Sequence, residues 1–63
     1  MGEVKAALPG TRIVVQSPDW LQGELGHVIA MPKVLLNGHD CAVAFPDRED
    51  VMCFYWHELA VES

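Results

Sequence analysis

Along this chain, apolar and polar positions exchange with a period of two over short runs. No run keeps the 3.6-residue spacing of a helix face. Residues 11–16, TRIVVQ, are rich in β-branched side chains. They predict a strand with Ile13 and Val15 on one face and Arg12, Val14 and Gln16 on the other. Pro9-Gly10 punctuates its start, and Pro18, which cannot donate to a ladder, marks its end. Residues 17–23 form a loop in which Asp19 caps a local turn. There Trp20 and Leu21 either fold back over an open end of the core or face a partner. Residues 24–31 predict a second strand, and Gly26 within it predicts a bulge or a close approach of backbones. With Gly23 it supplies the bend that a small barrel needs. Pro32 closes this strand. Residues 33–38 connect onward, with Asn37-Gly38 a hairpin-type turn signal and Val34, Leu35 and Leu36 extending one side of that hairpin. Residues 39–45 alternate as a third strand, 46–50 (PDRED) are a polar turn, and 51–56 a fourth strand. Trp56, His57, Glu58 and Leu59 break the period of two and suit a single 3₁₀ turn. Residues 60–62 close the set as a fifth short strand.

Five short strands, Gly/Pro turns and no helical periodicity predict an all-β fold: a small five-stranded SH3-like barrel with a single 3₁₀ turn before the last strand. The 63 residues make one domain, read as a flexible lead-in over 1–9 and the barrel over 10–63. Apolar residues are 51% of the chain, enough for one core and unlike a disordered segment. A chain this short buries only about 60% of its unfolded surface, so it depends on economical packing, a staple or a partner.

Charge narrows the function classes. Four Lys and Arg stand against nine Asp and Glu, a net charge of −5, and no basic run exists. Phosphate-backbone binding needs clustered cations, so a nucleic-acid-binding barrel is disfavoured. A charged partner would be basic. Two cysteines are too few for a secreted disulfide framework. The first ten residues lack the apolar core of a signal peptide, and no apolar run approaches a membrane span. The expected location is the cytoplasm, with no membrane partner.

GTRIVVQSPDW, then Gly23, then GHV, AVAF and YWHELAV resembles the SH3-like repeats of Mind bomb-type ubiquitin ligases. The likeness covers about residues 10–62. The ending FYWHELAVES also looks like small phage-encoded SH3-like proteins that finish in a His-Glu-Leu segment. Both resemblances imply an SH3-like barrel. The Mind bomb likeness implies recognition of a peptide segment of a partner.

Three chemistries compete for the candidate residues. In SH3-like barrels the first long loop and the late turn are neighbours, so Trp20, Tyr55 and Trp56 are expected to converge, edged by Asp19, Glu49 and Glu58. Aromatic anchors with an acidic rim suit a peptide, preferably a basic one. The competing reading makes one tryptophan core and the other a cover for the barrel mouth. Metal is the second chemistry. A third-to-fourth-strand hairpin turning at residues 47–49 sets His39 opposite His57 and Val43 opposite Cys53. His39, Cys41, Cys53 and His57 are suitable ligand types, but their spacing matches no standard zinc pattern. Both cysteines would then share the face of Val43, Phe45 and Val51 as core residues. No cofactor is expected. Catalysis is the third: Cys53 and His57 are four residues apart on a strand and do not meet, and no phosphate loop or nucleophile motif is present. His27 is a lone histidine beside a bend. A non-enzymatic protein-interaction module is the reading these residues favour. The alternatives are an assembly subunit that self-associates through an edge strand near Val34, Leu35 and Leu36, giving a homodimer, and the nucleic-acid-binding barrel.

Overall fold

A computed structural model describes residues 6–62. Five antiparallel strands, β1 (Arg12–Val15), β2 (Leu25–Ile29), β3 (Cys41–Ala44), β4 (Met52–Phe54) and β5 (Leu59–Val61), form a single sheet in the order β4-β3-β2-β1-β5. The sheet curls into a half-barrel consistent with a small SH3-like barrel. Three single 3₁₀ turns, Asp19–Leu21, Lys33–Leu35 and Trp56–Glu58, punctuate the connections. Among the described residues no helix is long and apolar enough to cross a membrane.

The expected alternation in the first strand is realised. Ile13 and Val15 are buried, while Arg12 is exposed. They join Leu21, Val28, Cys41, Val43, Phe45, Phe54 and Leu59 in one core, where the Phe45 and Phe54 rings meet edge to face at 6.1 Å. Each predicted strand is present; the first four are shortened at their ends where prolines and turns interrupt the ladder, and the fifth begins one residue early, at Leu59.

At Gly26 the neighbouring strands β2 and β3 approach closely. A methyl group there would stand 2.7 Å from the Ala44 carbonyl oxygen and from Val43 Cγ1, and 3.0 Å from the Phe45 ring. Only glycine lets β2 pass this close to β3, which is the close approach the sequence predicts. Gly23, at φ +90°, turns the first loop back so that its N–H donates to the Val15 carbonyl at 2.8 Å.

Two expectations are corrected. Val34, Leu35 and Leu36 do not extend a hairpin strand; Val34 and Leu35 belong to a 3₁₀ turn closed by the Leu36 N–H on the Lys33 carbonyl. Pro32 at the head of that segment and the left-handed Asn37 and Gly38 at its foot favour a compact excursion over a ladder. The β3–β4 register is also one residue away from expectation. Val43 pairs with Met52, Ala42 with Cys53, and Cys41 with Phe54. The hairpin centres between Asp47 and Arg48, with the Arg48 N–H closing on the Phe45 carbonyl at 3.2 Å, so Cys53 leaves the face of Val43. Residues 1–5 of the expected lead-in lie outside the described residues. Ala7 packs against the core, and the Gly10 N–H donates to the Val28 carbonyl at 2.6 Å.

Candidate functional site

The 3₁₀ turn before β5 leaves three backbone N–H groups, of Tyr55, Trp56 and His57, without a partner inside the turn. Two carboxylates meet two of them. Glu58 Oε1 accepts the Tyr55 N–H at 2.9 Å, and Asp40 Oδ2 accepts the Trp56 N–H at 3.0 Å. The Glu58 N–H in turn donates to the Tyr55 carbonyl at 3.0 Å. Tyr55 is thus set at the end of β4 on a backbone held by hydrogen bonds.

Its ring is held as well. Tyr55 lies 4.5 Å from the His39 ring and 5.5 Å from that of His57, nearly parallel to the latter at 6°. The His39 Nδ1–H donates to the Leu36 carbonyl at 3.0 Å, which fixes the His39 ring and its tautomer. One element further out, the Cys53 thiol donates to the Leu35 carbonyl at 3.8 Å, placing the Lys33–Leu35 turn against the outward face of β4. Val34 is 84% exposed and Leu35 60%. The result is one surface of aromatic, imidazole and aliphatic groups on the open edge strand β4.

The expected aromatic triad is only partly assembled. The Gln16 and Ser17 N–H groups both donate to the Glu58 carbonyl, so the first long loop does lie beside the late turn. Within that loop, however, Leu21 is buried, and Trp20 points outward, 66% exposed. The ring partners of Tyr55 are the two histidines rather than Trp20 or Trp56. Trp56 is half-buried and leans on the core, as a cover does. Of the expected rim, Asp19 is exposed beside Trp20, and Glu58 is spent on capping. Glu49 stands in the 46–50 turn, before β4, whereas Tyr55 follows it. Val34 and Leu35, expected only as a self-association stretch, belong to this surface, and so does Asp40, which was not among the expected site residues. The one sequence signal for them is an apolar pair between turn residues.

The four metal-ligand types do not share a face. Cys41 is 5% exposed and points inward, where its thiol donates to the Phe54 carbonyl at 3.6 Å. Burial pushes that thiol up from 9.0 to about 11, and the nearby Asp40 charge adds to the effect. Cys53 faces outward. Among the described residues no group of three or more His, Cys, Asp or Glu is gathered as metal ligands. His39 and His57 flank a tyrosine instead.

No protein-family model matches the chain, and no match was found among curated proteins or solved structures.

Proposed function

We propose that this chain is a protein-interaction module of the SH3-like kind whose contact surface is centred on Tyr55. The observation that carries the reading is the Tyr55 ring flanked by His39 and His57, on a turn fixed by Asp40 and Glu58. A ring held before binding loses little further freedom on contact, which is what makes aromatic anchors effective. Val34 and Leu35 supply adjoining apolar area. The charge of −5, with Asp40 and Glu58 at the surface's edge, favours a peptide that combines apolar and basic residues. The Mind bomb-like pattern of residues points to the same kind of partner.

The test is selection of random dodecapeptides displayed against the protein, followed by affinity measurement. Enriched peptides are expected to carry Lys or Arg beside apolar residues. Tyr55→Ala is expected to weaken their binding about tenfold or more, while Arg48→Ala, in the turn at the other end of β4, leaves it unchanged. Failure to enrich any peptide, or binding indifferent to Tyr55, overturns the reading. A second reading has its own observation: β4 has a strand neighbour on one side only, so a second copy can pair along it. A dimeric mass by sedimentation, reverting to monomer in Val34→Lys, favours that assembly role.

A further inference from the structure

At the other end of β3 from Tyr55, a groove of about 400 Å³ opens. It is built from both edges of β1. Arg12 and His27 are cross-strand partners in the β1–β2 ladder, which sets their Cβ atoms about 5 Å apart. On the other side of β1, the Glu62 N–H donates to the Arg12 carbonyl at 3.1 Å. Leu25, Phe45 and Pro46 give the groove its apolar lining. The Phe45 ring has room there because position 26 is a glycine; a Cβ would stand 3.0 Å from it.

The chemistry of this groove runs against that of the whole chain. The protein carries nine acidic side chains and four Lys and Arg, yet here an arginine and a histidine, paired across β1 and β2, line a groove with apolar groups. Arg12 is the one Lys or Arg in the groove's lining. A guanidinium presents a fork of N–H donors that fits a carboxylate with two parallel hydrogen bonds. The imidazole adds a donor next to it. The volume suits a group of small-molecule size.

We propose that this groove binds a carboxylate borne on an apolar group, with Arg12 and His27 on the carboxylate and Leu25, Phe45 and Pro46 on the apolar part. Glu62 bounds the site and repels the ligand's charge, so the carboxylate enters on the His27 side.

Three probes test this by titration of the isotope-labelled protein: a hexapeptide ending in leucine with a free carboxylate, the same peptide amidated, and 4-methylpentanoate. The free acid is expected to move the backbone amide signals of Gly26 and His27, and the amide is expected to leave them in place. Arg12→Gln, at an exposed position, is expected to weaken binding about tenfold. Glu62→Gln is expected to tighten it about twofold to fivefold. Unchanged signals elsewhere in the spectrum show that each variant stays folded. Binding of 4-methylpentanoate as tight as that of the peptide assigns the groove to small carboxylates. Binding of the peptide acid alone assigns it to chain termini. Equal responses to acid and amide, no response to any probe, or an affinity unmoved by Arg12→Gln overturns the proposal.

Discussion

Two 3₁₀ turns of three residues each, Asp19–Leu21 and Trp56–Glu58, both carry a tryptophan and lie side by side. They are held by different forces. With three residues per turn, successive side chains point about 120° apart, so anchoring one decides where the others go. The first turn is anchored by a side chain. Leu21 is inserted in the core, which leaves Trp20 outside. The second buries no residue fully. Its backbone is held by the carboxylates of Asp40 and Glu58 while Trp56 leans half-buried on the core, and this leaves Tyr55 and His57 on the surface. A hydrophobic anchor thus yields an exposed tryptophan without ring partners, and a polar anchor yields a tyrosine with two. The comparison explains why the candidate surface centres on Tyr55 although Trp20 is the larger and more exposed aromatic.

Mutation can break this contrast at three points. Leu21→Ala removes the hydrophobic anchor and leaves a cavity, and should cost about 2–5 kcal/mol in denaturant unfolding; a loss well under 1 kcal/mol would show that the first turn is held by its backbone after all. Glu58→Ala removes a carboxylate from the second turn and should cost about 0.5–2 kcal/mol. It should also shift the Tyr55 ring signals, and Glu58→Gln, which keeps an acceptor oxygen, should restore most of both. If the ring signals do not move, the carboxylate does not position Tyr55. Trp20→Ala should change stability by no more than about 0.5 kcal/mol, since the side chain lies outside the core. A larger loss would show that the tryptophan packs on the barrel.

Much of the fold was legible in the residues. Period-two alternation with β-branched enrichment located the five strands, prolines and glycines located their ends, and the break in alternation at Trp56-His57-Glu58 located the late turn. Each of these signals is local: steric and hydrogen-bonding preferences act within a few residues. Gly26 was legible for the same reason, because a glycine inside a strand weakens it unless a close approach requires one.

The candidate site was less so. The β3–β4 register depends on where a polar turn of five residues closes, and PDRED allows more than one closure. A shift of one residue turns every side chain of β4 to the other face. That shift separates Cys41 from Cys53 and breaks up the ligand set that the residue types suggested. The meeting of His39 with Tyr55 is equally non-local. It depends on the excursion through Lys33–Leu35, whose Leu36 carbonyl orients the His39 ring. Nor could exposure be read for the apolar residues near turns. Leu21 and Leu36 are buried while Trp20, Val34 and Leu35 are not, since a single turn has no amphipathic period to compare.

What the sequence by itself determined is therefore the all-β character, the number of strands and the glycine at which β2 closely approaches β3. These follow from conformational preferences that each short segment carries alone. Only the tertiary structure decided which apolar residues stay on the surface, which cysteine is core, and that Tyr55 lies between two histidines while Arg12 shares a groove with His27. Those outcomes depend on how separate strands register and curl together, which burial across the whole barrel selects and no single segment encodes.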